Sequence, residues 1–229
     1  MDSGPGENIE NPYVDRRGLV PLAREGYPFM LIALLITIAV FLGTGSWIAG
    51  AFLFALFVFV VTFFRDPKRV VPAEPGSIVS PADGRVIIAE KVFDSRFTGS
   101  ETMKISIFMN LFSVHVNRVP ASGRVLKVIY NPGRFFSANL DKASLENEQN
   151  AVVAETPDGK VFVFNQIAGL VARRIVCRLK DGMDITRGKR FGLIRFGSRL
   201  DVYLPLDSRI TVRVGDKVSA GTSILGYWS

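Results

Sequence analysis

One histidine among 229 residues limits what this chain can catalyse. Zinc sites built on two or three histidines are ruled out, and the single cysteine, Cys177, supplies no replacement cluster, so no metal is expected. The histidine, His115, lies in "FSVHVNRVP", where alternation puts Ser113, His115 and Asn117 on one face and Val114 and Val116 on the other. With the valines in a core, the imidazole looks into a polar space, although a hydrogen-bonded structural histidine fits the same pattern. Asp83 lies in "SPADGRV", where Asp-Gly after proline is ordinary turn chemistry, repeated at Pro157-Asp158-Gly159.

Gly-Ser occurs four times, but only Gly197-Ser198 falls inside a strand pattern, "GLIRFGSRLDVYLP" over 192–205. Phe196, Ser198, Leu200, Val202 and Leu204 share one parity, so the Ser198 hydroxyl should point inward with apolar neighbours. Glycine within a strand marks close approach or a special backbone. One reaction suits such a site. A serine hydroxyl held against the carbonyl of its own preceding residue can convert the amide into an ester, and glycine removes the Cβ that would crowd the attack. β-Elimination then cleaves the chain and leaves dehydroalanine, whose hydrolysis yields a pyruvoyl group and ammonia.

The elements that must position these groups start with an uncharged stretch, residues 29–64, holding the apolar runs 29–42 and 47–64. As helices they would be about 21 and 27 Å long, against a bilayer core of about 30 Å. Apolar character all round favours lipid over a buried soluble hairpin. Arg16, Arg17 and Arg24 precede the hairpin and Arg65, Lys68 and Arg69 follow it, which puts both ends in the cytoplasm. The expected location is the cytoplasmic membrane, with the remaining domain on its cytoplasmic face. Residues 1–64 carry 3 basic and 5 acidic side chains, whereas residues 65–229 carry 25 and 16. A basic domain beside a bilayer suits anionic headgroups. Nucleic acid is not expected, since no recognition helix, zinc-finger spacing or RNP-like aromatic motif is present.

The chain divides into a polar tail (1–26), the membrane hairpin (27–64), a proline-rich linker (65–76) and a β-rich domain (77–229). Only 143–149 has a helix-like period after residue 65. The fold class is mainly β: a sandwich or barrel of short strands with lipoyl-like hairpin elements, preceded by an N-terminal hydrophobic helical hairpin. "SIVSPADGRVI" and "ITVRVGDKVSAGTSILGYW" look like halves of one hairpin-built module.

Together, "SPADG" (80–84), "NLFSVHVNRVP" (110–120) and "FGSRLDVYLP" (196–205), after an apolar N-terminal segment, resemble the phosphatidylserine decarboxylase proenzymes. The resemblance covers residues 60–229. It implies self-cleavage between Gly197 and Ser198 and conversion of Ser198 into a pyruvoyl prosthetic group that forms a Schiff base with the substrate amine. It further implies that chains 1–197 and 198–229 stay partnered, that Asp83 serves self-processing and that His115 serves decarboxylation of phosphatidylserine to phosphatidylethanolamine. Longer members carry a second histidine where this chain has Arg118, a poor general base. Either Asp83 acts more directly on Ser198 or His115 serves both stages. Arg118, Arg195 and Arg199 are candidate headgroup cations. Archaetidylserine is an alternative substrate, a membrane-tethered lipoyl-like adaptor is the alternative without chemistry, and a homodimer is left open.

Overall fold

The computed structural model describes residues 21–133, 146–169, 174–195 and 198–229. Two apolar helices, α1 (Tyr27–Thr44) and α2 (Trp47–Phe63), pack as a hairpin. Helix α1 continues through Gly43 and Thr44, so the turn is only Gly45-Ser46. Gly45, at φ 63°, closes α1 with its N–H on the Phe41 carbonyl, and the Ser46 hydroxyl caps α2 by accepting from Ala49 N–H. Large apolar side chains such as Leu31, Ile32, Phe52 and Phe54 stay exposed on the hairpin. The Thr37 hydroxyl is satisfied within α1, donating to the Ala33 carbonyl at 2.8 Å. The segment Arg24–Thr44 is long and apolar enough to cross a membrane.

Fourteen strands follow among the described residues. They are β1 (Ser77–Val79), β2 (Gly84–Asp94), β3 (Ser100–Met109), β4 (Val116–Arg118), β5 (Gly123–Asn131), β6 (Gln149–Glu155) and β7 (Val161–Ala168). The chain continues through β8 (Ile175–Cys177), β9 (Asp184–Ile185), β10 (Arg190–Ile194), β11 (Ser198–Pro205), β12 (Arg209–Ile210), β13 (Lys217–Val218) and β14 (Ile224–Tyr227). An eight-stranded, curled sheet has the order β13-β2-β3-β11-β7-β6-β5-β9, and two three-stranded sheets, β4-β10-β8 and β1-β14-β12, complete the domain. The fold is mainly β, as the alternating pattern implies.

Strand β11 lies centrally in the large sheet, between β3 and β7. Leu200, Val202 and Leu204 face the main core with Ile105, Ile107, Phe162 and Phe164. Burial of each such side chain contributes about 1.5–3 kcal/mol. The opposite face of β11 is buried too, which alternation alone does not suggest. There Arg199, fully buried, donates to Asp201 at 2.6 and 3.1 Å and to the Ser106 hydroxyl at 2.9 Å.

The stretch 192–205 is two strands, not one. Residues up to Ile194 pair with β4 and β8, whereas residues from Ser198 pair with β3 and β7. The change of sheets therefore falls between Ile194 and Ser198, which the hydropathy alternation does not register. The two lipoyl-like stretches do meet: β13 pairs with β2, β14 with β1, and Gly221 N–H bonds the Ser80 carbonyl at 2.7 Å. Of the helix-like segment 143–149, residues 143–145 lie outside the described residues, and Gln149 opens β6.

Candidate active site

Ser198 is the first residue of β11 and is fully buried. Its cross-strand partners are Met109 on β3 and Ala168 on β7, and its Oγ lies 3.9 Å from the Met109 sulfur. Parity from Leu200 thus turns the hydroxyl inward, as expected. Gly197 and Phe196 lie outside the described residues. Met109 also touches Asn117, whose Nδ2 is 3.6 Å from the sulfur, and Gln166 Nε2 donates to Asn117 Oδ1 at 2.9 Å. The buried Gln166 Oε1 has no donor among the described residues.

His115 stands just before β4, in the connection from Met109, and is 2% exposed. Val114 and Val116 enter a core, as expected, but that core is shared with Phe63 and Phe64 at the end of the apolar hairpin. The imidazole packs against Phe63 with ring centroids 4.2 Å apart and planes tilted by 32°, so it faces an aromatic ring where alternation suggests a polar space. Its Nδ1 lies 2.9 Å from the Ser113 carbonyl. A carbonyl oxygen only accepts, so Nδ1 carries the hydrogen and Nε2 the lone pair. That Nε2 is buried without a donor among the described residues. Burial is the main cause that pulls the His115 pKa down to about 4, and the nearby Arg65 charge adds to it. At neutral pH the imidazole is an uncharged base with an idle lone pair.

Asp83 sits in the turn between β1 and β2. Its Oδ1 accepts from Ala220 N–H at 2.7 Å and its Oδ2 from Arg69 at 2.6 Å. These partners, and not Ser198 or His115, hold the carboxylate among the described residues. Arg118 is engaged by other partners: its guanidinium donates to the Gly188 carbonyl (3.0 Å), the Pro67 carbonyl (3.1 Å) and Asp66 (3.2 Å). Arg190 pairs with the same Asp66. Burial chiefly, then the neighbouring Arg190, lowers Arg118 to about 10, so it stays charged at pH 7 and offers no base. No Asp–His–Ser relay forms through position 118.

The proline-rich linker, residues 65–76, is hydrogen-bonded to the β-rich domain at several points. Arg65 donates to the Phe112 carbonyl at 2.6 Å, Asp66 holds Arg118, Arg69 holds Asp83, and Arg187 bonds the Pro72 carbonyl at 2.7 Å. In the sequence, "RDPKR" carried a signal only for membrane flanking charge. Of the three candidate headgroup cations, Arg118 and Arg199 are buried in ion pairs. Arg195 lies 4.8 Å over the Phe29 ring at the start of α1, its Nε buried without a partner among the described residues. Gln166 and Met109 were missed as site residues; the one available signal was a polar Asn-Gln pair inside the "VFVFNQIA" strand.

A family model described as phosphatidylserine decarboxylase matches residues 56–226. A phosphatidylserine decarboxylase proenzyme of Cupriavidus taiwanensis is 52% identical over 205 residues, covering 89% of this chain and 94% of the relative. The proenzyme of Cupriavidus pinatubonensis is 51% identical with the same coverage, and that of Burkholderia multivorans is 50% identical over 204 residues, again 89% and 94%. The family model runs from within α2 through nearly all of the β-rich domain, and with relatives this similar over 89% of its length the chain belongs to the phosphatidylserine decarboxylase family.

Proposed function

We propose that this chain is a proenzyme that cuts itself between residues 197 and 198 and then converts phosphatidylserine to phosphatidylethanolamine and CO₂. Two observations carry the reading: Ser198 is fully buried where β11 begins, and His115 is a buried neutral imidazole whose Nε2 lacks a donor among the described residues. Because both Asp83 oxygens are already engaged, His115 is the base for both stages, and Asp83 supports processing indirectly by tying Arg69 to the Ala220 turn. Nε2 takes the Ser198 Oγ proton as Oγ bonds to the carbonyl carbon of residue 197. The peptide C–N bond then breaks, and the proton passes to the nitrogen of residue 198. Loss of the Ser198 α-proton breaks the Cβ–Oγ bond and frees the carboxylate of chain 1–197. Tautomerisation and addition of one water release ammonia and leave the keto group.

The residues fit that group: it arises in place from the buried Ser198, and His115 Nε2 and Gln166 Oε1 are buried acceptors without a donor among the described residues, a chemistry suited to an amine substrate. Once formed, the pyruvoyl carbonyl supplies the electron sink for loss of CO₂ from an amino acid headgroup. His115 Nε2, having taken a proton from the substrate's ammonium group, then delivers that proton to the substrate's α-carbon. The two chains stay joined because the small one supplies β11, β13 and β14, each hydrogen-bonded to strands of the large one. The hairpin holds the enzyme in the cytoplasmic membrane, with the basic domain on the cytoplasmic face.

Intact mass under denaturing conditions tests this. The wild type yields a fragment of residues 198–229 blocked by pyruvate, and Ser198→Ala stays at full length. A wild-type chain that never cleaves, or a Ser198→Ala chain that does, overturns the reading.

A further inference from the structure

We propose that the turn Asn110–Ser113, between β3 and β4, is a second membrane contact, which presents bilayer lipid to the site beside it. The inference rests on the phosphatidylserine reading above. Its two tip residues are apolar and face outward: Phe112 is 73% exposed and Leu111 40%. The turn that presents them is tied down. Asn110 Oδ1 accepts from Phe112 N–H at 2.9 Å and from the Ser113 hydroxyl at 3.2 Å, and Ser113 N–H bonds the Asn110 carbonyl at 3.0 Å.

The tip is continuous with the apolar hairpin. The Phe112 ring meets Phe59 of α2 edge-on, centroids 6.3 Å apart. Arg65 bridges the two elements, donating to the Thr62 carbonyl at the end of α2 (2.8 Å) and to the Phe112 carbonyl (2.6 Å). Leu111 and Phe112 therefore lie level with the last turns of α2, where a membrane helix meets the interface. Aromatic side chains favour that depth, and the Arg65 guanidinium that bridges the two elements favours anionic headgroups. A patch of two side chains merging into a membrane hairpin fits a bilayer better than a protein partner. The same turn leads into the site, because the carbonyl of Ser113 orients the His115 ring.

The test separates lipid presentation from chemistry. Phe112→Ser and Leu111→Ser/Phe112→Ser are compared with wild type for self-cleavage, for decarboxylation of dihexanoyl-phosphatidylserine as monomers, and for decarboxylation of phosphatidylserine in phosphatidylcholine vesicles. The expected result is normal cleavage, unchanged turnover of the soluble lipid, and vesicle turnover lowered about tenfold, since one interfacial aromatic contact is lost. Phe112→Trp restores it, and the fluorescence that the introduced indole adds is quenched by brominated lipid. Unchanged vesicle turnover, an equal loss on both substrates, or an added fluorescence that brominated lipid leaves unquenched overturns the contact. Wild type inactive on both lipids overturns the functional reading itself, whereas the quenching result still decides whether the turn touches the bilayer.

Discussion

The environment of His115 makes a sharp pH prediction. An ordinary histidine has a pKa near 6.5, and this one is held at about 4, chiefly by burial against Phe63. If Nε2 is the base for self-cleavage, the rate constant should hardly change between pH 7 and 5.5, because about 97% of an imidazole with that pKa is still neutral at pH 5.5. With an ordinary pKa the neutral fraction would fall from about 76% to about 9%, roughly an eight-fold loss over the same range. The same shift acts on stability. The unfolded chain takes up its proton first, near pH 6.5, so the contribution is complete above that pH and is lost on acidification toward pH 4. The loss is about 3 kcal/mol, from roughly 2.5 units at 1.36 kcal/mol each. Since the chain has one histidine, ¹⁵N-histidine labelling of Ser198→Ala gives a single titration curve, with a midpoint expected near pH 4. Phe63→Ala admits water to the ring and moves that midpoint upward. A wild-type midpoint near 6.5, or a drop of about eight-fold in cleavage rate by pH 5.5, would refute the assignment of a buried neutral base.

Three further outcomes are expected. Arg69→Gln frees one Asp83 oxygen, and if Asp83 supports processing it slows cleavage about tenfold, the equivalent of about 1.4 kcal/mol from one partly buried charge-assisted bond, with partial rescue by Arg69→Lys; an unchanged rate alongside a blocked Asp83→Asn shows that Asp83 works without Arg69. Arg199→Met strands the buried Asp201 carboxylate and should cost toward the lower end of about 3–5 kcal/mol, because Lys104 remains 3.5 Å away, whereas Arg199→Met with Asp201→Leu recovers most of it in thermal unfolding of the uncleaved chain. After cleavage, the fragment of residues 198–229 should co-purify with the large chain in detergent and separate only on denaturation, since three of its strands complete sheets of the other chain.

The apolar hairpin, the β-rich domain and the inward aim of Ser198 were all legible from residue order, because each depends on a local period: uniform apolarity for a membrane helix and alternation for a strand. The candidate residues Asp83, His115, Gly197 and Ser198 were legible for a different reason, as motifs whose resemblance does not require coordinates. What those residues touch was not legible. Arg69 is 14 positions from Asp83, and Asp66 is 52 from Arg118. Alternation has no means of assigning such partners, and it merged two strands of different sheets into one across Gly197-Ser198.

Which side chains alternate inward, and where charge stops, follow from residue order alone, since side-chain chemistry and backbone period are properties of neighbouring residues. The burial of the second face of β11, the turn of Arg118 to Asp66 and the contact of the His115 imidazole with Phe63 of the hairpin are set by long-range packing. These outcomes depend on which distant segments close over a given face, and burial is what sets both the charge state of His115 and its lone pair's freedom to accept a proton.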